Sequence, residues 1–181
     1  MNSSTINYIT SSSGNANYSS SATVEVVIDH LEKNFIDNYI LAYENVINWF
    51  LLKEEMTISK VILYLYYVQA WGLVMLKRKV MDISFFANNK GIYTKIIEQQ
   101  YNVNDNQQYD KKYSLLFNNE ILELLESVWM TYGNNSENSL LALIMSEKPY
   151  IDAISKLYNK VEPLIDEKSL VDYYKSIYIG K

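Results

Sequence analysis

An apolar run near the middle of the chain is its strongest pattern. Between Val61 and Leu76 every residue is apolar, aromatic or glycine except Gln69. A helix that is apolar on all sides is normally packed by neighbours all round. The pattern therefore predicts a buried central helix from Ile58 to Leu76, with the Thr57 hydroxyl as its N-cap.

The length of this run argues against a membrane span. At about 1.5 Å of rise per residue the run from Val61 to Leu76 covers about 24 Å, whereas the hydrocarbon core of a bilayer is about 30 Å thick. Three tyrosines also lie inside it. We therefore expect a protein that does not enter a membrane, with a cytoplasmic location.

Apolar residues at helical spacing predict further helices on both sides of this centre. The predicted helices span residues 23–40, 42–52, 92–101, 118–133, 139–145, 149–163 and 169–178, with N-caps at Thr23, at Asn118 or Asn119, and at Asp166. Gly133 lies where a left-handed residue is expected to end a helix. Residues 102–112 are polar and rich in Asn, which predicts a solvated loop.

A short β element is predicted between the central helix and the helix that follows. Residues between Val80 and Ala87 include β-branched and aromatic side chains, which favours an extended segment. Asn88, Asn89 and Gly91 then predict a turn, with Gly91 in a left-handed conformation.

These elements together predict one domain. Residues 1–22 carry no charge and few large apolar side chains, which is typical of a disordered polar tail. The fold is therefore predicted to be mainly α: a single compact helical domain over residues 23–181, built around a buried central helix, with a short β element near residues 80–92.

Composition excludes several classes of function. The 181 residues include 16 basic and 21 acidic residues, for a net charge of −5, so the field repels a phosphate backbone. The chain has no cysteine, which excludes disulfides, thiolate nucleophiles and sulfur-bound zinc. The N-terminal residues have neither the basic nor the apolar region of a secretory signal.

Candidate catalytic and metal-binding residues are few. His30 is the only histidine, and a lone histidine lacks the second ligand that a metal site needs. Glu120, Glu123 and Glu126 share one side of a predicted helix, which indicates either a solvated face or a carboxylate cluster. Asp105 and Asp110 lie in an Asn-rich segment that lacks the Gly and Glu of a calcium loop. We expect neither a metal nor a cofactor, and the balance is against an enzyme.

Basic residues form one island in the sequence. Lys77, Arg78 and Lys79 follow the central helix, and Lys90 and Lys95 flank the aromatic Tyr93. Cations after a helix complement its dipole, and cations beside an aromatic ring can also contact a nucleic acid. Lys77, Arg78 and Lys79 are therefore candidates for nucleic-acid contact.

The order of motifs from about Val46 to Tyr178, about three quarters of the chain, resembles the Panacea (SocA-like) family. The matching positions are Thr57, Lys60, Leu63, Tyr66, Tyr67, Gln69, Phe85, Ala87, Gly91, Tyr101, Tyr132, Gly133, Leu140, Pro149, Leu170 and Tyr174. The chain departs from the family where Ala-Trp-x-x-Gly-Pro is expected, because residues 87–92 lack the Trp and the Pro. The later family motif is also reduced, since residues 145–150 lack its histidine.

The resemblance implies a protein of phages and other mobile elements that neutralises a partner protein by direct contact, as an antitoxin does. Its partner-binding residues are predicted to be Lys90, Gly91, Tyr93, Lys95, Tyr101 and Tyr150, because aromatic side chains are typical interface anchors. An anti-CRISPR protein that inhibits a Cas9-type nuclease or its guide RNA is an alternative. A metal-dependent hydrolase that uses His30 is a second alternative, and a homodimer is compatible with all three.

Overall fold

Helices dominate the part of the chain that the computed structural model describes, which is residues 40–101, 117–159 and 162–178. In chain order the elements are α1 (Tyr43–Lys53), α2 (Ile58–Met75), β1 (Phe86–Asn88), β2 (Gly91–Tyr93), α3 (Lys95–Gln100), α4 (Asn119–Tyr132), α5 (Glu137–Ser146), α6 (Lys148–Ser155) with a 3-10 turn (Lys156–Asn159), and α7 (Glu167–Tyr178). The mainly α prediction is confirmed.

Helix α2 is the buried centre, as its apolar sequence predicts. Thirteen of its eighteen residues are buried. The Thr57 hydroxyl accepts a hydrogen bond from the backbone N–H of Lys60 at 3.1 Å, so the predicted N-cap is confirmed. The same hydroxyl donates to Glu137 at 2.7 Å, which ties the start of α2 to the start of α5.

Aromatic side chains join α2 to its neighbours. Phe50 of α1 stacks on Tyr64 with ring centroids 4.7 Å apart, and Trp129 of α4 packs against the same tyrosine at 5.7 Å. At the other side of α2, Tyr174 of α7 meets Tyr66 edge to face at 6.4 Å. Such pairs contribute about 0.5–1.5 kcal/mol each beyond the area that they bury.

A two-residue turn joins β1 to β2. The strands are antiparallel and pair Phe86 with Tyr93, and Asn88 with Gly91. Gly91 has a φ of +133°, so the predicted left-handed backbone is confirmed. The prediction of a helix from residue 92 is wrong at its start, because Ile92 and Tyr93 belong to β2 and α3 begins at Lys95.

The segment after α6 returns to the other edge of β1. The N–H of Ala87 donates to the Pro163 carbonyl, and the N–H of Ile165 donates to the Phe85 carbonyl, both at 2.9 Å. Phe86 and Leu164 form an isolated antiparallel bridge between these bonds. Strand β1 is therefore paired on both sides, and the turn is fixed to the start of α7.

A close approach at Gly72 positions the chain after α2. A Cβ placed at Gly72 would lie 2.1 Å from the Cγ2 of Val80. Only a residue without a side chain leaves room for the Val80 side chain at this point of the helix. Leu41 in turn bridges to Met81, so the segment before α1 is held at the same place.

The predicted N-caps of the helices are more accurate than the predicted C-terminal ends. Asn118 and Asp166 accept hydrogen bonds from the N–H groups three residues ahead, at 2.9 and 3.0 Å, so both predicted caps are confirmed. Gly133 ends α4 with a right-handed backbone, φ −59°, so its predicted left-handed conformation is wrong. Helix α6 ends at Ser155 rather than continuing to residue 163.

Three predictions lie outside the described residues: the polar tail over residues 1–22, the helix over residues 23–40 with its cap at Thr23, of which only the last residue is described and is not helical, and the loop over residues 102–112. Within the described ranges, α2 is the one helix long and apolar enough to cross a membrane, and most of it is buried inside the protein. This burial is consistent with the core helix of a soluble protein.

Candidate functional site

A buried acid with tyrosine partners lies at the centre of the domain. The Glu147 carboxylate accepts a hydrogen bond from the Tyr66 hydroxyl at 2.7 Å and from the Tyr174 hydroxyl at 2.9 and 3.0 Å. The residue is only 7% exposed. A buried carboxylate needs hydrogen-bond donors of this kind, because they replace the hydration that the charged group loses in the protein interior.

Local sequence explains how Glu147 reaches this position. Glu147 both ends α5 and precedes the first residue of α6, with an extended backbone at φ −79° and ψ 144°. Pro149 fits the first turn of α6, so the chain changes direction without a loop. This sharp junction directs the carboxylate inwards, between α2 and α7.

The electrostatics of the cluster follow from its burial. Burial raises the pKa of Glu147 to about 7, against the hydrogen bonds from Tyr66 and Tyr174, which lower it. Burial also raises the pKa of both tyrosines well above its usual value, and the nearby carboxylate adds to the shift. The tyrosines therefore remain neutral donors, and Glu147 exchanges a proton near neutral pH.

Further aromatic groups extend the cluster towards the surface. Tyr67 has its hydroxyl near Glu147, where it lowers the pKa of the acid slightly, yet it makes no hydrogen bond of normal geometry. Its ring stacks on Tyr132 with centroids 3.8 Å apart. The Tyr132 hydroxyl accepts a hydrogen bond from the indole N–H of Trp71 at 3.1 Å.

An apolar recess, here called the α2–α4 groove, lies at the outer end of this chain of rings. It has a volume of about 160 Å³. Its lining residues are Trp71, Met75, Leu124, Ser127, Val128, Thr131 and Tyr132. Met75 is 48% exposed, and Met130, on the adjacent row of α4, is 80% exposed.

A second recess, here called the Gln69 pocket, lies between α2, the segment before β1 and the start of α7. It has a volume of about 200 Å³, and its polar lining residues are Gln69, Ser84, Asp166 and Glu167. Glu147 lines neither recess. Its hydrogen bonds with Tyr66 and Tyr174 join the α5–α6 junction to α2 and α7.

The predicted partner-binding residues do not form one exposed surface. Lys90 is exposed in the turn, whereas Gly91 is buried and a Cβ there would lie 2.3 Å from Leu141. Tyr93 is half-buried against the Phe86 ring, with centroids 5.5 Å apart. For Lys90 and Tyr93, contact with a partner stays a prediction.

Tyr150 corrects the predicted surface most clearly. It is 5% exposed, and its hydroxyl donates to the Asn88 carbonyl at 2.8 Å, so it joins α6 to the turn. Its ring belongs to the core and does not offer a surface to a partner. Lys95 is exposed but forms an ion pair with Glu162, and Tyr101 is half-buried.

The basic island is partly neutralised. Lys79 forms an ion pair with Glu167 at 2.8 Å and lies 3.7 Å from Asp82, and the hydrogen bond to Glu167 raises its pKa. Lys77 is exposed, with a positive φ of 56°, and Arg78 is half-buried. Nucleic-acid contact at these three residues stays a prediction.

The structure does not bring the acidic and metal-site candidates that it describes together into a cluster. Glu120 and Glu123 are exposed on α4, and Glu126 is half-buried in an ion pair with Lys53 at 2.6 Å. The described residues contain no group of three or more His, Asp or Glu side chains that is placed to hold a metal ion. His30, Asp105 and Asp110 lie outside the described residues.

Sequence reasoning missed Glu147, the α2–α4 groove and the pocket at Gln69. One signal was present, because Gln69 is the single polar residue in an otherwise apolar helix and such a residue needs hydrogen-bond partners. A scan against protein-family models, a search of curated proteins and a search of solved structures each found no match to this chain.

Proposed function

We propose that this protein is a protein-binding module that neutralises or inhibits a partner protein by direct contact, as an antitoxin does. The observation that carries the proposal is the α2–α4 groove, an apolar recess beside exposed Met75 and Met130. Large apolar side chains grouped at a surface are typical of interaction sites. The cytoplasm, where such a partner is made, is the proposed location.

The charges on α4 define the chemistry of the partner. The helix carries Glu120, Glu123 and Glu126 and has no Lys or Arg among its fourteen residues. Glu123, Ser127 and Thr131 are exposed and lie four residues apart, so they form one row along the groove. A basic segment with an apolar anchor side chain fits this surface, and the net charge of −5 favours the approach of such a partner.

The α2–α4 groove is large enough to hold one apolar side chain of a partner. Burying one apolar side chain contributes about 1.5–3 kcal/mol, and an interface needs several contacts around it. Met130, on the row of α4 next to Ser127 and Thr131, is 80% exposed and is a further apolar side chain on that side of the helix. The antitoxin-like role in this proposal comes from the order of motifs that resembles the Panacea family.

Co-expression tests the proposal. The chain is expressed together with each gene that neighbours its own, and growth is measured when that gene is toxic on its own. We expect co-expression of this chain to restore growth in the presence of one toxic neighbour. We also expect the two proteins to elute together in size-exclusion chromatography. A Cas9-type nuclease is tested in a parallel experiment, with its guide RNA checked on a gel, because its inhibition would favour the anti-CRISPR alternative instead.

Two matched variants locate the contact. Thr131→Arg places a bulky cation at the groove, and Ser176→Arg adds the same charge at an exposed position of α7. The two positions are matched, because each wild-type hydroxyl donates a hydrogen bond to a carbonyl of its own helix, at 2.7 and 2.6 Å. We expect Thr131→Arg to weaken binding by at least about tenfold, which is about 1.4 kcal/mol, and Ser176→Arg to leave it unchanged. Equal affinity of the two variants would place the contact elsewhere.

A further inference from the structure

The buried Glu147 is joined to the α2–α4 groove by two aromatic contacts. Tyr67, beside the acid, stacks on Tyr132 with ring centroids 3.8 Å apart and the ring planes 13° from parallel. Tyr174, which donates to the acid, meets the ring of Trp71 edge to face at 4.9 Å. Tyr132 and Trp71 both line the groove, and the Trp71 indole N–H donates to the Tyr132 hydroxyl at 3.1 Å. The acid and the wall of the groove are therefore linked by continuous contacts.

Tyr67 differs from Tyr66 and Tyr174 because its hydrogen bond to the acid is incomplete. Tyr66 donates to the Glu147 carboxylate at 2.7 Å, and Tyr174 donates to it at 2.9 and 3.0 Å. The Tyr67 hydroxyl lies near the same carboxylate, yet it is buried and has no partner. Buried polar groups in folded proteins are nearly always paired. A small movement of the Tyr67 ring that completes this bond is therefore favourable whenever the acid can accept it.

The proton on Glu147 decides what the acid offers to Tyr67. An ionised carboxylate only accepts hydrogen bonds, whereas a protonated carboxyl has an O–H that must itself find an acceptor. A hydrogen bond from a hydroxyl to a charged oxygen is also shorter and stronger than a bond between neutral groups. The preferred position of the Tyr67 hydroxyl therefore differs between the two states of the acid.

Close packing transmits a displacement of Tyr67 to the groove. Tyr67 is 1% exposed, and its ring is in van der Waals contact with the ring of Tyr132. Packed interiors transmit strain, so a shift of one ring displaces the other. Tyr132 is half-buried at the groove, and its hydroxyl holds the Trp71 indole. Two residues of the groove wall therefore respond to the position of Tyr67.

The groups that face Glu147 leave it as the residue that changes charge near neutral pH. Tyrosines interact with it from three helices: Tyr66 and Tyr67 of α2, Tyr132 of α4, and Tyr173 and Tyr174 of α7. Burial raises the pKa of all five hydroxyls above its usual value, so they stay neutral. The adjacent Lys148 forms an ion pair with Asp152 at 2.7 Å. Burial raises the pKa of Glu147 itself to about 7.

We propose that the proton on Glu147 sets the shape of the α2–α4 groove, with the stacked rings of Tyr67 and Tyr132 as the connection. The ionised acid draws the Tyr67 hydroxyl into a further hydrogen bond, and the protonated acid releases it. Tyr132 and Trp71 therefore take different positions in the two states. A partner that fits one shape better binds with an affinity that depends on pH; this regulation rests on the proposed function, whereas the change in the groove does not.

An NMR titration of the full chain with pH, without a partner, tests the proposal. The side-chain carboxyl carbon of Glu147 reports its protonation, and the indole N–H of Trp71 and the ring of Tyr132 supply signals from the groove. We expect the carboxyl signal and both groove signals to move through one shared midpoint between about pH 6 and about pH 8. Glu147→Gln should abolish the movement of the groove signals.

Tyr67→Phe and Tyr64→Phe are the matched variants that locate the connection. Both hydroxyls are buried without a partner, and both rings are stacked, Tyr67 on Tyr132 and Tyr64 on Phe50. We expect Tyr67→Phe to lose most of the pH-dependent movement of the groove signals while the Glu147 carboxyl still titrates. Tyr64→Phe should keep the whole response.

Several results would overturn the proposal. One is a wild-type protein in which the Glu147 carboxyl does not titrate between about pH 5 and about pH 8, or titrates while the groove signals stay fixed. Another is a response in Tyr67→Phe equal to that of the wild type, because the groove would then sense the charge of the acid directly. An equal loss in Tyr64→Phe would remove the assignment to Tyr67. These outcomes are distinct from a failure of the co-expression experiment, because no partner enters the titration.

Discussion

Replacement of Glu147 by Gln should remove a pH-dependent part of the stability of this protein. In the unfolded chain the carboxyl has its ordinary pKa of 4.5, and burial raises that value to about 7 in the folded state. Between about pH 4.5 and about pH 7 the Glu147 carboxyl of the folded protein therefore holds a proton that the unfolded chain has released. Stability from this group is complete below about pH 4.5 and is lost as the pH rises towards and through about 7.

The size of this effect follows from the two pKa values. The shift from 4.5 to about 7 corresponds to about 3 kcal/mol at about 1.4 kcal/mol per pKa unit. Most of this change falls between about pH 5 and about pH 8. Gln keeps one oxygen to accept from Tyr66 and Tyr174 but cannot ionise, so the variant gains stability relative to the wild type as the pH rises.

Urea unfolding at several pH values, followed by circular dichroism, measures the effect. The quantity to compare is the difference between the free energies of unfolding of the variant and the wild type, because contributions from other groups cancel in it. Glu123→Gln, which removes an exposed carboxylate, is the control for the change in net charge. A difference for Glu147→Gln that stays constant from about pH 5 to about pH 8, or falls with pH, would refute the reasoning.

Three further substitutions test the packing around this centre. Gly72→Ala should destabilise the fold by about 1–3 kcal/mol, measured by urea unfolding, because the new methyl meets the buried side chain of Val80; unchanged stability would contradict the close approach. Asn118→Ala should cost about 1 kcal/mol through the lost cap of α4, with Asn118→Asp retaining the stability. Tyr150→Phe should cost about 0.5–1.5 kcal/mol, since it removes the hydrogen bond to the Asn88 carbonyl, and an unaltered melting temperature would show that this bond contributes nothing.

The central helix and the helix caps could be predicted because their causes are local. The run from Ile58 fixes α2 by its composition, and Thr57, Asn118 and Asp166 each accept from an N–H three residues ahead. Strand β2 was missed because it has only three residues, and so short a segment fits the helical and the extended period alike.

The buried acid could not be predicted, because its partners are distant in the sequence. Tyr66 and Tyr174 lie 81 and 27 residues from Glu147, and nothing in the local pattern links them. Tyr150 was placed at an interface for a similar reason: a tyrosine has an apolar ring and a polar end, so sequence alone does not tell a core position from a contact surface. The tertiary arrangement decides between the two.

The pairing of β1 on both edges limits the ways in which another chain could bind to this sheet. With β2 on one side and residues 163–165 on the other, the backbone of β1 has no free edge to template a foreign strand. The three residues of β2 offer too few amides for strand addition to supply much affinity. Within the described residues, a partner of the proposed kind would therefore contact side chains on the helices rather than the backbone of the sheet, and the same geometry disfavours association of these strands into extended sheets.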